Sequence, residues 1–529
     1  RAVTDMATTT TTTTPTQRRV QVLTAHLTSA LPNNRPGDGE ANPVPTSFFV
    51  SGSFAPRSDE KVQRVTLSQS ILKGHVTPDL QRLLGTFLRI GPNPKYSFEG
   101  KPYHVFDGDG MIHSIQFHGD DTLTYTNKYI QTEAYKRDAK QDFSFSIMGE
   151  AMEITNTASM AWTQFSRGPM GRANTAMVHH NGKLLALFEQ DVPYAVNPTT
   201  LETLEKINDF GTAPFTAHPK VCPATQDMIY FGYINGKRKG PFCHYGVCDK
   251  HGKVVTSFPV TLPHPVMMHD VAITATRSIL FDYNLRYHSP KELMTGQATS
   301  MYQQEPNLPS RFGVLPRHAA SDAEIVWIEV PSAIVFHFLN AWDEGEDEVV
   351  VWGCASSSLD LDNLGGDTSQ TSGGIMTCWK LNVKTGKLVD TYVVDTPKPT
   401  PDADAAVDFA QSNCSKLGTR TRYGYAATFC AGFTVDGVSK FDLQNKTTTS
   451  YYYGPGVFGG ESMFVPYNSS GGHTLAEDDG WLMSFVYGEG LNCESALEVV
   501  DAKTMTLVVR IAVPARVPSG FHALWLPSV

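Results

Sequence analysis

Short apolar runs bounded by turn dipeptides are the feature that most limits what this chain can fold into. Asn-Gly and related turns adopt φ > 0 and match the twist of flanking strands, so they predict β-hairpins. The runs and their turns are Lys183–Phe188 after Asn181-Gly182, Met228–Ile234 before Asn235-Gly236, Lys253–Val255 after His251-Gly252, Leu381 and Val383 before Thr385-Gly386, and Phe433–Val435 before Asp436-Gly437. Hairpins without βαβ alternation predict an all-β propeller. The blade count does not follow, because no clean repeat motif is present.

The composition fits a globular chain with a large core. Hydrophobic residues make up 41% of the 529 residues and charged residues 18%. Such a length allows two or three domains or one large β domain. The net charge is −10 and no basic stripe is present, which argues against nucleic acid as a partner. No apolar run is long enough to predict a membrane span.

The first 45 residues differ from the rest of the chain. They are rich in Thr and Pro, and we expect residues 1–45 to form a disordered tail, either in part an expression remnant or a plastid transit peptide. We expect residues 46–529 to form a single catalytic β-propeller domain. The eight cysteines are thinly spread, so we interpret them as reduced thiols of an intracellular protein. The predicted location is cytoplasmic, with the plastid as the alternative.

Helices are predicted at few places. Thr66–Leu72, Pro290–Met294 and part of Phe143–Met170 are the candidates. The last segment carries many Phe, Met and Ile residues. It could be part of the core, or an apolar lip over a tunnel that touches a membrane to collect a lipid.

Four histidines share a setting, because each lies in a stretch typical of a strand or strand end. They are His218, His269, His337 and His522, at separations of 51, 68 and 185 residues. No local loop can gather them, but the inner strands of a propeller all face one axis. Neutral imidazole is the commonest protein ligand of transition metals. The alternative for each is an inert core histidine.

Three carboxylates lie among apolar or small residues. They are Glu189, Asp408 and Glu461. A buried unpaired carboxylate is costly, and a metal-ligating histidine needs its other ring nitrogen held, often by a carboxylate. The two sets together are compatible with a metal centre, although separate structural ion pairs remain an alternative.

Several stretches from about Phe48 to the C-terminus resemble motifs of the carotenoid cleavage oxygenases. They are Gly85–Pro94, His104–His113, Phe215–Lys220, Met267–Asp270, Arg311–Arg317, Glu461–Pro466 and Pro518–Leu524. The likeness is greatest to the plant-type members that cleave at the 9,10(9′,10′) bonds, and Val500–Thr506 carries much of it.

The resemblance implies a seven-bladed β-propeller with a small helical dome over an axial metal site. It implies one Fe(II) per chain held by His218, His269, His337 and His522, with Glu189, Asp408 and Glu461 behind them. The chain departs from the family in two places. Asp408 stands where Glu is frequent, and Ala410 stands where Pro is common.

The resemblance also implies a dioxygenase that cleaves one C=C bond of a carotenoid or apocarotenoid with O₂ as co-substrate, giving two carbonyl products. The partner is then a lipophilic polyene in an apolar tunnel, for which Phe336, Phe338 and Phe521 are candidate lining residues. We further expect a monomer with peripheral membrane contact.

Four other functions stay open from the sequence. One is cleavage of 9-cis-epoxycarotenoids at the 11,12 bond. Stilbene cleavage on the same fold is disfavoured, because Gln116 stands where stilbene-cleaving members have a Tyr. A metal-dependent isomerase and a non-enzymatic propeller scaffold are the remaining alternatives.

Overall fold

The computed structural model describes residues 56–96, 104–142, 171–212, 214–233, 240–305, 307–358, 373–396, 406–431, 433–467, 475–488 and 495–528. These residues form mainly antiparallel strands, numbered β1 to β33 along the chain. Seven sheets, here called blades, contain all but two of these strands.

The first and last blades draw strands from both ends of the chain. Blade 1 contains β1 Lys61–Thr66, β3 Leu84–Pro92, β4 Gly110–His118, β5 Thr122–Tyr129 and β33 Ala523–Pro527. Blade 7 contains β2 Ile71–Gly74, β28 Val457–Phe458, β29 Met463–Pro466, β30 Gly480–Gly488, β31 Ala496–Asp501 and β32 Thr506–Ala512.

The five other blades each follow the chain without a crossover. Blade 2 contains β6 Ala176–His180, β7 Lys183–Leu187, β8 Tyr194–Val196 and β9 Thr203–Lys206. Blade 3 contains β10 Lys220–Val221, β11 Met228–Tyr233, β12 Cys243–Cys248 and β13 Val254–Val260. Blade 4 contains β14 Ala272–Ile273, β15 Arg277–Asp282, β18 Ser310–Pro316 and β19 Val326–Val330, and the separate hairpin β16 Leu285–Tyr287 with β17 Tyr302–Gln304 lies between β15 and β18. Blade 5 contains β20 Ile334–Glu344, β21 Glu348–Ser356, β22 Ile375–Asn382 and β23 Lys387–Val394. Blade 6 contains β24 Ala406–Gln411, β25 Tyr423–Ala431, β26 Thr434–Asp442 and β27 Thr447–Tyr452.

The ring is closed by strand pairs between the two ends of the chain. In blade 1, β33 pairs antiparallel with β3, from Gly85 opposite Pro527 to Arg89 opposite Ala523. In blade 7, β2 pairs with β32. Strands of neighbouring blades contact one another, as β14 does with β20, β20 with β24, and β29 with β33. The prediction of a seven-bladed β-propeller is therefore confirmed.

Alternating burial along the strands builds the core between the blades. In β13, for example, Thr256, Phe258 and Val260 are buried and their neighbours are not. One large apolar cluster joins blades 3, 4 and 5, and it contains Phe281, Phe312 and the fully buried Trp379. Burying such a side chain stabilises the fold by about 1.5–3 kcal/mol.

The turn predictions are confirmed at three places and wrong at one. Asn181-Gly182 joins β6 to β7, His251-Gly252 joins β12 to β13, and Thr385-Gly386 joins β22 to β23, with positive φ at each glycine. Asp436-Gly437 instead lies inside β26, where Gly437 pairs with residues of β25 and β27. A Cβ at Gly437 would lie 2.3 Å from the Tyr451 carbonyl oxygen, so close strand approach explains this glycine. The Asn235-Gly236 turn lies outside the described residues.

The described helices are short. They are α1 Pro78–Gln81, α2 Glu133–Gln141 and α3 Pro290–Met294. The predicted helix at Pro290–Met294 is confirmed, and Ser289 caps it with Glu292 in a capping box. The helix predicted at Thr66–Leu72 is wrong, because pairing with β5 and β32 draws its ends into β1 and β2.

The remaining predictions about the fold concern the helical dome with its apolar lip, the cysteines and membrane-spanning helices. The Phe143–Met170 segment lies outside the described residues, so the helical dome and the apolar lip stay predictions. No disulfide joins two of the seven described cysteines, and Cys493 is not among the described residues. No helix in the described ranges is long and apolar enough to cross a membrane.

Candidate metal centre

The four predicted histidines meet at one point on the propeller axis. His218 and His269 stand just before the first strands of blades 3 and 4, His337 lies within β20 of blade 5, and His522 directly precedes β33. All four are buried, and one ring nitrogen of each lies within 4.8 Å of those of the other three. The closed ring of blades therefore gathers residues that are up to 304 positions apart in the sequence.

Local backbone features direct these side chains toward the axis. The backbone N–H of His218 donates to the Thr216 hydroxyl at 2.9 Å, and the following Pro219 favours an extended conformation at His218. His337 lies within the first of two register irregularities in the pairing of β20 with β21, the one between Val335 and Phe338. Bulges of this kind re-aim side chains near functional sites.

Each of three histidines contacts one of the three predicted carboxylates. Nδ1 of His337 lies 2.8 Å from Oδ1 of Asp408, and Nδ1 of His522 lies 3.1 Å from Oε1 of Glu461. Nδ1 of His269 is in contact with Oε1 of Glu189. The shorter side chain of Asp408 thus still reaches its histidine. Among the described residues, no carboxylate contacts the His218 ring.

These pairs decide which ring nitrogens face the centre. A carboxylate accepts the Nδ1 proton of its histidine, so the Nε2 atom carries a lone pair. Nε2 of His269 and Nε2 of His337 lie only 3.2 Å apart, and the buried Nε2 of His218 has no hydrogen-bond partner among the described residues. Converging lone pairs repel unless a cation lies among them. The donor set therefore fits a metal ion.

The electrostatics favour neutral imidazoles at this point. Burial, followed by the neighbouring histidines, lowers the pKa of His218 and that of His337 well below the usual value. Both rings are therefore neutral at pH 7 and able to ligate a metal. Burial raises the pKa of Asp408 to about 7. Burial would also raise the pKa of Glu461, but His522 and hydrogen bonds from His522, Ala523 and Gln411 hold it below its usual value.

Further residues support the carboxylates, and the sequence analysis missed them. The Tyr233 hydroxyl donates to Glu189, and the side-chain amide of Gln411 donates to Oε1 of Glu461 at 2.7 Å. Glu461 also accepts from the backbone N–H of Ala523. Tyr233 and Gln411 lie in or at the end of strands like many other polar residues, so no sequence signal identifies them.

Phe409 packs against two of the histidines. Its ring centroid lies 5.3 Å from that of His337 and 5.0 Å from that of His522. Its φ of 55° lies in the left-handed region, at a register irregularity between Asp408 and Gln411. That conformation costs a residue with a Cβ about 1–2 kcal/mol. The bulge directs the Asp408 carboxylate and the Phe409 ring to the same centre.

The three phenylalanines predicted to line a tunnel lie in different surroundings. Phe336 stands edge-on to His269, with 4.7 Å between ring centroids. Phe338 packs instead into the core, against Phe281 and Phe312. Phe521 is buried against Phe106. In a regular strand Phe336 and Phe338 would share a face, so the register irregularity between Val335 and Phe338 explains why their surroundings differ.

Fold and site together define a β-propeller whose axis carries a buried four-histidine centre compatible with a metal. A family model described as retinal pigment epithelial membrane protein (RPE65) matches residues 57–527. The chain is 36% identical over 513 residues to carotenoid 9,10(9′,10′)-cleavage dioxygenase 1 of Pisum sativum, covering 90% of each chain. The chain thus belongs to the family of RPE65 and the carotenoid cleavage oxygenases.

Other relatives and solved structures agree with this assignment. The chain is 35% identical to carotenoid 9,10(9′,10′)-cleavage dioxygenase 1 of Arabidopsis thaliana, covering 90% of this chain and 89% of that one. It is 30% identical to a chloroplastic 9-cis-epoxycarotenoid dioxygenase of the same plant, covering 92% and 82%. The crystal structure of a lignostilbene dioxygenase from Pseudomonas brassicacearum superposes with a TM-score of 0.75 at 22% identity, covering 92% and 100%. A variant of Synechocystis apocarotenoid oxygenase gives 0.74 at 22% identity, covering 92% and 99%. At that identity the likeness shows the fold alone.

Proposed function

We propose that the protein is an Fe(II)-dependent dioxygenase that cleaves a C=C bond of a carotenoid or apocarotenoid with O₂, at the 9,10 (9′,10′) position. The observation that carries the proposal is the convergence of four buried imidazoles, three of them backed by carboxylates. The relatives with 35–36% identity are named for cleavage at that bond, whereas the epoxycarotenoid enzyme is 30% identical.

In this proposal His218, His269, His337 and His522 hold one iron ion per chain. Imidazole nitrogen suits iron among the first-row metals. Bound Fe(II) would supply the electron density that O₂ needs before it can react with a closed-shell alkene. Glu189, Asp408 and Glu461 would fix the tautomer and orientation of three of the ligands.

The chain's own residues would provide an apolar, water-poor surrounding for the polyene. Phe336 and Phe409 stand against the histidine rings and place apolar aromatic side chains at the centre. A polyene has no hydrogen-bonding group along its length, so apolar shape is what can position one double bond. The chain would thereby select the bond to be cleaved by where the substrate's end group stops.

Product analysis tests this function directly. Purified protein reconstituted anaerobically with Fe(II) is incubated in air with β-carotene, lycopene, apocarotenals and resveratrol, and the products are identified by mass spectrometry. Two carbonyl products from the 9,10 bond are expected, with about one iron per chain. Cleavage at 11,12, or of resveratrol alone, would assign the protein to a different substrate class.

Two measurements separate the non-dioxygenase alternatives. An isomerase turns over without consuming O₂, so oxygen uptake that matches product formation excludes it. A propeller scaffold retains no iron after anaerobic reconstitution. The expected result is stoichiometric oxygen uptake together with retained iron.

We also propose that residues 46–529 act as a single, monomeric catalytic domain in the cytoplasm, with the plastid as the alternative. The family match at 57–527 supports these domain bounds. Deleting residues 1–45 is expected to leave thermal stability and in-vitro activity unchanged. Loss of folded protein would contradict the bounds, size-exclusion chromatography with light scattering tests the monomer, and a fluorescent fusion tests the compartment.

A further inference from the structure

One buried carboxylate that the centre itself does not use touches three blades at once. Asp270 is only 2% exposed and follows His269 in the chain. Its Oδ1 lies 2.8 Å from Nζ of Lys220 in blade 3 and accepts from the backbone N–H of Val271 at 2.7 Å. Its Oδ2 accepts from the backbone N–H of Phe338 in blade 5 at 2.9 Å.

Each of these contacts stands next to a histidine of the centre. Lys220 is two residues after His218, and Phe338 directly follows His337. The register irregularities around His337 interrupt the ladder between β20 and β21. The Phe338 N–H donates to Asp270 at this interruption, so a single carboxylate joins the chain segments that carry three of the four histidines.

His218 depends most on such a link. The rings of the other three histidines are each held by a carboxylate, but within the described ranges none reaches His218. The contacts that fix His218 therefore act through its backbone, by way of the Thr216 hydroxyl and of Lys220. Lys220 is half-buried, with 19% of its side chain exposed, and its charge is directed onto Asp270.

We propose that Asp270 and Lys220 are positioning residues that hold His218, His269 and His337 at metal-binding distance across blades 3, 4 and 5. The inference rests on the proposed function, because it assigns a task toward the same metal. The carboxylate takes the place of a direct ring contact at His218. Neither residue touches the metal or the substrate.

The physical basis is the geometry of a shared, charged acceptor. Hydrogen bonds to an ionised group are shorter and stronger than neutral ones, and two oxygens can serve several donors at once. Neutralising Asp270 or removing the Lys220 charge loosens the spacing between blades 3 and 4. Metal affinity is sensitive to that spacing, since all ligand atoms must lie at bonding distance together.

The test compares Lys220→Met and Asp270→Asn with Lys440→Met. Lys440 is paired with Asp478 at 2.6 Å and, with 9% of its side chain exposed, is more buried than Lys220. It links blade 6 to the β29–β30 connection of blade 7, among residues that carry none of the four histidines. Metal-free protein is titrated anaerobically with Fe(II) against a chromophoric chelator. The spectrum of the Co(II)-substituted protein reports ligand geometry, thermal unfolding of the metal-free protein reports stability, and kcat and KM are measured separately.

Lys220→Met and Asp270→Asn are each expected to weaken Fe(II) binding about tenfold, within the range seen for residues that orient metal ligands. The double variant should bind Fe(II) no more weakly than the more affected single variant, because both substitutions act through one contact. The Co(II) spectrum should shift, and kcat should fall while KM changes little. Lys220→Arg should recover most of the affinity, and Lys440→Met should lower stability without changing metal affinity.

Three results would overturn the proposal. They are unchanged metal affinity in Lys220→Met, a loss in Lys440→Met equal to that in Lys220→Met, or additive effects in the double variant. If wild-type protein binds Fe(II) in a 1:1 ratio and one of these results is obtained, the positioning role alone fails. If wild-type protein binds no Fe(II), the proposed function fails as well.

Discussion

His522 and His218 lie in the same centre but are held in opposite ways. The His522 ring is fixed by Glu461, which also accepts from the Gln411 amide and from the Ala523 N–H. The His218 ring meets no carboxylate in the part of the chain that the structure describes, and its buried Nε2 lacks a hydrogen-bond partner. Its position depends on the backbone contact to Thr216 and on the ion pair of the nearby Lys220 with Asp270.

The difference shows two ways to orient a ligand in one fold. A ring contact fixes the tautomer and the rotation of the imidazole, and it places a negative charge behind the ligand. A backbone contact fixes the position of the main-chain atoms but does not by itself fix the side-chain angles χ1 and χ2 of the imidazole. The carboxylate-backed histidines therefore form the rigid part of the centre, and His218 is the adaptable member.

Removing a ligand from the rigid part should have the largest effect. We expect His269→Ala to abolish both iron retention and activity, because only three imidazoles remain and the Glu189 carboxylate loses its histidine partner. Metal analysis after gel filtration and a product assay measure the two losses. His179→Ala is the control, since His179 is exposed on β6. Full activity in His269→Ala would contradict the metal site.

Weakening the support of His522 should have the next largest effect. Glu461→Gln keeps the shape of the side chain but removes its charge, and we expect iron affinity or rate to fall by about 10- to 100-fold. The rate at limiting iron measures this loss. Glu205→Gln, which removes an exposed partner of Lys183, serves as the control. A wild-type rate at limiting iron would exclude this role for Glu461.

Removing the residue that orients Glu461 should have a smaller effect. Gln411→Leu deletes one hydrogen bond to the carboxylate, a contact of roughly 0.5–1.5 kcal/mol, and we expect metal affinity to fall by about 2- to 10-fold. Chelator competition measures it, with Gln444→Leu, an exposed residue of the same blade, as the control. A loss larger than that of Glu461→Gln would show that Gln411 acts on more than Glu461.

The smallest effect on metal affinity is expected at the adaptable histidine. Thr216→Val leaves the buried N–H of His218 without its acceptor, which costs stability by about 1–3 kcal/mol. Because the Lys220–Asp270 contact still holds the backbone beside His218, metal affinity should change by no more than about 2-fold. Thermal unfolding and chelator competition separate the two quantities. A loss as large as that of Glu461→Gln would remove the distinction between the two histidines.

Local patterns in the sequence predicted much of the fold. Asn181-Gly182 and Thr385-Gly386 form hairpin turns because their backbone preferences act within a few residues. The same reasoning failed at Asp436-Gly437, where close packing against Tyr451 requires the glycine. It failed again for the helix at Thr66–Leu72, because pairing with strands distant in the sequence overrides local propensity.

The sequence by itself determined the residue types of the centre: four histidines and three carboxylates in apolar surroundings, with motifs similar to those of one family. Only the tertiary structure decided that Glu189 meets His269, that Asp408 meets His337, and that no carboxylate among the described residues meets His218. It also revealed Gln411, Lys220 and Asp270, which in the sequence look like ordinary polar residues at strand ends. The physical reason is that ring closure through β3 and β33 sets these distances, and no local preference encodes the spacing between blades.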